Sequence, residues 1–153
     1  MLLQRLNKND LPEIIAFNRR CFSPGDRWSG EDWTELLEDE RAHYYALLEN
    51  GQIVGNMFLY DWQGERDFLK IMNLGVAPDR RGQGLACRLL QKAAEELKAS
   101  MLTRCCGETR ESNLAMRRVF ERCGYRLNKI EENYYENPAE SACKDVLRRE
   151  ELE

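Results

Sequence analysis

The stretch Asn73-Leu74-Gly75-Val76-Ala77-Pro78-Asp79-Arg80-Arg81-Gly82-Gln83-Gly84-Leu85-Ala86 constrains this chain more than any other. A strand candidate, Phe68 to Val76, runs into a tight glycine loop. A helix follows, marked by Leu85, Leu89, Leu90, Ala93 and Leu97 at helical spacing. Glycine lets a backbone approach a ligand with no Cβ in the way. The N–H groups of a first helical turn lack intrahelical partners and carry partial positive charge. With Arg80 and Arg81 beside them, these residues form a site for a phosphate or pyrophosphate.

Three phosphate-bearing ligand classes compete for such a loop. A nucleotide P-loop needs Gly-Lys-Ser/Thr, which is not present here. A dinucleotide fingerprint wants a third glycine where Cys87 stands, and it opens a βαβ unit rather than following an antiparallel half. The acyl-coenzyme A loop reads Gln/Arg-x-x-Gly-x-Gly/Ala, and Arg81-Gly82-Gln83-Gly84-Leu85-Ala86 matches every specified position.

The rest of the chain supplies the sheet around this segment. Leu2 to Leu6 reads as a first strand. Asn9-Asp10-Leu11-Pro12 caps a helix carrying Ile14, Ile15, Phe17 and Cys21, which Ser23-Pro24-Gly25-Asp26 breaks. Ser29 with Asp32 forms a capping box for a second helix through Trp33, Leu36 and Leu37. Strands His43 to Leu48 and Ile53 to Tyr60 flank Asn50-Gly51, a hairpin signal. Beyond the 85–97 helix come a strand from Met101 to about Glu108 and a helix from Ser112 or Asn113 to Cys123. That helix turns Ala115, Met116, Val119 and Phe120 inward and ends at Gly124. Tyr125 to Ile130 and Cys143 to Leu147 close the sheet around a loop with Asn137-Pro138. The order predicts an α/β (α+β) fold: one domain over 1–153, with a single mixed sheet of about seven strands and about four helices. Strand-helix-strand around the 85–100 helix favours a parallel crossover within it.

Composition removes whole classes of function. At 153 residues the chain buries roughly 70% of its unfolded surface, so a core forms without disulfide or metal support. The net charge of −4 argues against a general grip on nucleic acid. No apolar run is long enough for a membrane span and no signal peptide opens the chain, so the cytoplasm is the expected compartment. His43 is the one histidine, which excludes zinc sites built on two, and no metal is expected. The six cysteines lack Cys-x-x-Cys spacing and read as reduced structural thiols, with Cys87 and Cys123 at helical core positions. No histidine partner can be assigned to a cysteine, which points away from a cysteine acyl-enzyme.

The loop and the element order together resemble the GNAT acetyltransferase superfamily over essentially the whole chain. Gly107-Glu108-Thr109-Arg110-Glu111-Ser112-Asn113, with Val119-Phe120-Glu121-Arg122-Cys123-Gly124-Tyr125, resembles that superfamily's second signature. Asp26-Arg27-Trp28-Ser29 and Asn133-Tyr134-Tyr135 resemble its RimI branch, which acetylates the N-terminal alanine of a ribosomal protein. The resemblance implies a GNAT-like acyl-CoA N-acyltransferase fold, with acetyl-CoA as co-substrate and direct attack by an amine. It implies that Leu74, Gly75 and Val76 line the pantetheine arm, with a strand-splaying bulge at Gly75 and the Val76 N–H aimed at the thioester carbonyl. Arg81, Gly82, Gln83, Gly84, Leu85 and Ala86 would take the pyrophosphate, and Asn113 and Phe120 would lie along the coenzyme. Glu108 falls at the position of the general base, and Trp28, Tyr134 and Tyr135 at walls of the acceptor channel.

One position departs from the pattern. The superfamily usually carries a tyrosine where Phe120 stands, as the acid for the leaving thiolate, and phenylalanine donates no proton. Tyr134 or Tyr135 could supply the hydroxyl, or the thiolate could leave unaided. The implied acceptor is a peptide or protein N-terminus, such as that of a ribosomal protein. The alternatives are a small amine on the same fold and a non-catalytic acyl-CoA-binding module. Nucleic acid and membrane are not expected partners, and the chain is expected to be a monomer or homodimer. Arg117, Arg118, Arg122 and Arg126 read as a solvent-facing basic stripe that could alternatively reach the coenzyme's ribose phosphate.

Overall fold

The computed structural model describes residues 1–152. Strand β1 (Leu2–Leu6) pairs antiparallel with β2 (Ala42–Glu49), which pairs with β3 (Gln52–Asp61). Asn50 and Gly51 make the turn between β2 and β3, with φ of 51° and 78°. Positive φ at both central residues is what a type I′ hairpin turn requires. Strand β4 (Phe68–Val76) continues the antiparallel half. The chain then crosses through α3 (Leu85–Ala99) to β5 (Arg104–Arg110), which lies parallel to β4. Helix α4 (Leu114–Arg122) leads to β6 (Arg126–Tyr135) and β7 (Glu140–Arg148), and β7 inserts between β5 and β6. The result is a seven-stranded mixed sheet in the order β1-β2-β3-β4-β5-β7-β6.

Each face of the sheet carries two helices. Helix α1 (Leu11–Cys21) buries Ile14 and Phe17, and α2 (Gly30–Leu37) buries Trp33 against Tyr44 and Phe58. The Ser29–Asp32 capping box forms as expected: the Asp32 N–H donates to the Ser29 hydroxyl at 3.0 Å. The cap at the start of α1 differs. Asn7, not Asn9 or Asp10, holds a preceding 3-10 turn, and Asp10 makes no side-chain cap bond to α1. On the opposite face Leu89, Leu90 and Leu97 of α3 pack with Met57, Leu59 and Phe120. Each such fully buried side chain contributes about 1.5–3 kcal/mol.

Three other expectations shift. β5 starts at Arg104, and Met101 stays outside it at 85% exposure. In α4 only Phe120 is buried, and Ala115 faces solvent. The expected loop after Ile130 is largely strand, because β6 runs on to Tyr135 and turns tightly into β7. Among the described residues no helix is long and apolar enough to cross a membrane.

The parallel pair decides where a site can be. β4 and β5 pair only over Phe68↔Arg104, Leu69↔Cys105 and Lys70↔Cys106, yet both strands continue. Beyond Lys70 they diverge and leave a V-shaped cleft. The bulge that re-aims β4 is not at Gly75. The register with β3 shifts between Phe58↔Asn73 and Leu59↔Ile71, which leaves Met72 as the extra residue. A bulge flips the alternation of faces. Leu69 and Ile71 before it, and Leu74 and Val76 after it, therefore all reach the α3 side. Gly75 is glycine for another reason. A Cβ there would stand 2.7 Å from both Cys21 Sγ and Phe22 Cζ, at the end of α1.

Candidate active site

Two contiguous cavities occupy the cleft, of about 320 and 510 Å³, sharing Phe22, Asp26, Leu74, Asn113 and Met116. The larger runs from Leu74, Gly75 and Val76 down to Arg81, Gly82, Gly84, Leu85 and Ala86. The smaller lies between β4 and β5, lined by Lys70, Glu108, Arg110, Phe120, Tyr134 and Tyr135. Of the residues expected along the coenzyme loop, the catalytic position and the acceptor channel, Gln83 and Trp28 line neither cavity. Trp28 packs inward against Trp33 and Phe58, with ring centroids 4.6 and 5.7 Å away.

The larger cavity is built to hold an anion. Gly82 and Gly84 sit at φ of 79° and 77°, with open space where a Cβ would go. Gly84 is the N-cap of α3 and offers no side chain, so the first-turn N–H groups have no side-chain cap. Arg81 is braced by the carbonyls of Val76 and Cys21, at 3.2 and 3.4 Å, and Arg80 pairs with Glu49. The opposite wall comes from α4 and includes Arg118 and Arg122. These lie one turn apart, and neither has an acidic partner among the described residues. Of the two readings the sequence left for the arginine stripe, facing solvent or reaching toward the coenzyme, these two arginines border the groove. Only the position of α4 across the groove reveals this.

In the smaller cavity Glu108 stands between two lysines. Lys70 Nζ lies 3.0 Å from Oε1, and Lys144 Nζ lies 3.0 Å from Oε2. Lys144 faces Glu108 because the two are register partners across β5 and β7. Burial pushes the Glu108 carboxyl up, but Lys144, the Tyr134 phenol and Lys70 together outweigh it and hold the group below its ordinary value. Oε2 is itself buried, with the Lys144 ammonium as its close partner. Sequence reading missed both lysines. The one local sign was Lys70, a charge inside an otherwise apolar strand.

Tyr134 and Tyr135 both reach this cavity, although neighbours on a regular strand point to opposite faces. The β6–β7 register breaks between Glu131 and Tyr135, with Asn133 at φ 54°. The two rings then meet edge to face at 5.1 Å. Lys144 sits over the Tyr134 ring at 4.2 Å and Arg110 over Tyr135 at 4.7 Å. Burial first, then Glu108, pushes the Tyr134 phenol well above its usual range, so it keeps its proton. Arg110, which the sequence gave no role, ties this wall together. It donates to Asp26 at 2.9 Å, and to the carbonyls of Glu136 and Pro138 at 2.9 and 2.8 Å. Phe120 is 1% exposed and packs on Tyr125. Gly107 makes room for its ring, since a Cβ there would be 2.6 Å from Phe120 Cε1.

This arrangement combines an anion cradle with a splayed-strand cleft and a carboxylate beside an amine-sized cavity. Comparison with known proteins agrees with that chemistry. Residues 11–125 match the sequence profile of the Acetyltransferase (GNAT) family. A Bacillus subtilis (strain 168) protein, provisionally named a [ribosomal protein bS18]-alanine N-acetyltransferase, is 31% identical over 141 residues, 92% of this chain and 90% of its own. The Escherichia coli (strain K12) [ribosomal protein bS18]-alanine N-acetyltransferase is 27% identical over 133 residues, 87% of this chain and 86% of its own. The crystal structure of the ribosomal-protein-S18-alanine N-acetyltransferase from Escherichia coli superposes with a TM-score of 0.86 at 25% identity, covering 99% of this chain and 98% of that one. With its profile, its relatives and its fold in agreement, the chain belongs to the GNAT acetyltransferase family.

Proposed function

We propose that the protein moves acetyl from acetyl-CoA to the free α-amino group of a protein N-terminus, of the kind the ribosomal bS18-alanine relatives are named for. The observation that carries the mechanism is the ionised Glu108 beside an amine-sized cavity at the point where β4 and β5 part. Gly82, Gly84 and the first turn of α3 hold the pyrophosphate, with Arg81 beside them. The edge of β4 from Leu74 to Val76 that has parted from β5 faces the pantetheine arm, and the Val76 N–H serves the thioester carbonyl as negative charge develops on it. Asn113 caps α4 through Met116 N at 3.2 Å and lies where the two cavities join, beside the pantetheine path.

An α-amine has a pKa of about 8 and reaches the site mostly as an ammonium. Glu108 attracts that cation, orients it, and takes its proton directly or through water. The neutral amine then attacks the thioester carbon, and the coenzyme thiolate leaves from the tetrahedral intermediate. Phe120 supplies packing and no proton. The Tyr134 phenol, which lines the same cavity as Glu108 and keeps its proton, is the hydroxyl available for the thiolate. Arg118 and Arg122 reach the ribose phosphate.

Mass-spectrometric acetyl transfer to a mixed panel tests the reading. Peptides with free Ala, Ser, Met or Gly N-termini are expected to gain one acetyl group at the α-amine. Transfer only to polyamines or to internal lysines of N-terminally blocked peptides would overturn it.

A further inference from the structure

Two of the six cysteines meet between the helices that wall the larger cavity. Cys87 is in the first turn of α3 and Cys123 caps the C-terminal end of α4. They are 36 residues apart in sequence, yet their sulfurs are 3.1 Å apart. A disulfide has an S–S distance of about 2.05 Å, so closure needs an approach of about 1 Å. Both thiols are partly exposed and within reach of a dissolved oxidant, whereas Cys105 and Cys143 are buried. Cys21 is engaged elsewhere, donating to the Val76 carbonyl at 3.2 Å.

We infer that Cys87 and Cys123 are a redox-sensitive dithiol, closed to an intramolecular disulfide by a small disulfide such as oxidised glutathione, and that closure weakens acetyl-CoA binding in the adjoining groove. The effect on affinity rests on the cofactor reading above, and the bond itself does not. The chemistry is a two-step exchange. The Cys87 thiolate attacks oxidised glutathione and releases one glutathione thiolate. The Cys123 thiolate then attacks the Cys87 sulfur and releases the second. Two cysteines are oxidised, one oxidised glutathione becomes two reduced ones, and the cysteine protons pass to the departing thiolates. Cys87 lines the open groove in the first turn of α3, whereas Cys123 does not line it and burial pushes its thiol up, so the opening attack falls to Cys87.

The movement falls on α4. Helix α3 is held by six buried residues, from Leu85 to Leu97, whereas α4 buries only Phe120. Drawing Cys123 toward α3 carries Arg122 and Val119 with it, and both line the groove beside Cys87. Linkage makes the effect reciprocal: if the disulfide weakens acetyl-CoA binding, bound acetyl-CoA disfavours the disulfide by the same factor.

The test uses the full chain, incubated with oxidised glutathione, alkylated and analysed by intact mass and peptide mapping. The expected result is loss of two hydrogens and a Cys87–Cys123 linked peptide, reversed by dithiothreitol. Calorimetry is expected to give an acetyl-CoA Kd at least about threefold weaker for the oxidised protein, with saturating acetyl-CoA suppressing oxidation correspondingly. Cys87→Ser should bind acetyl-CoA equally with and without oxidant, whereas Cys123→Ser, which lacks the resolving thiol, should stop at a Cys87–glutathione mixed disulfide seen as the added mass of one glutathione. No linked peptide, or a different cysteine pair, overturns the dithiol. A linked protein with unchanged Kd overturns its coupling to the groove. Failure of the reduced protein to bind acetyl-CoA would refute the cofactor reading instead, and the mass readout would still decide the thiol pair.

Discussion

Glu108→Gln keeps the shape of the side chain and removes its charge, which separates its packing from its electrostatics. The wild-type side chain is 13% exposed, with an ammonium 3.0 Å from each oxygen, and those cations keep it ionised wherever the enzyme works. Its strongest contribution is therefore to attract and hold the incoming ammonium. A hydrogen bond to a charged group is worth about 1.5–3 kcal/mol, or roughly 10- to 150-fold in rate. Initial rates with an alanine-terminated peptide, measured from pH 6 to 10, should show kcat/KM reduced by that factor near pH 7. The deficit should narrow above about pH 9, where the amine loses its proton unaided. A loss under about threefold at every pH would refute the assignment. Stability carries a second signature. Because the folded pKa lies below the unfolded one, Glu108 stabilises the fold above the unfolded value and loses that contribution as pH falls through the folded pKa. The Tm gap between wild type and variant should therefore be full at pH 7 and close as pH drops below about 4.

Gly84→Asp places a negative side chain at φ 77° on the anion cradle, and isothermal titration should show acetyl-CoA affinity falling by at least about tenfold with the fold intact. Gly107→Ala drives a Cβ into the Phe120 ring. Denaturant melts should lose about 1–3 kcal/mol, and an unchanged midpoint would mean the ring can move aside. Arg118→Ala with Arg122→Ala should weaken acetyl-CoA more than its analogue lacking the ribose 3′-phosphate. Equal losses in paired titrations would place the two arginines elsewhere than on that phosphate.

The features read correctly from the sequence are those whose cause lies within a few residues. Phe68 to Val76 is a strand over those same residues, Asn50-Gly51 turns the hairpin, Ser29 and Asp32 cap α2, and Gly82 and Gly84 take the left-handed backbone that only glycine adopts freely. The misread features depend on partners far along the chain. A sheet bulge exists only relative to the strand beside it, so Met72 gave no local sign and Gly75 was credited with the wrong role. Ala115 fits a helical apolar stripe, yet it faces the groove because nothing packs over that end of α4.

The sequence by itself therefore determined the order of strands and helices and the glycine loop between β4 and α3, because caps, turns and periodicity are local energies. Tertiary structure alone decided what surrounds them. Strand order sets Glu108 opposite Lys144 and near Lys70. It brings Arg110 to Asp26 across 84 residues, and it folds Cys123 onto Cys87. The electrostatics of Glu108 follow from that meeting of strands, since a charge responds to whatever lies within a few ångströms, however distant along the chain.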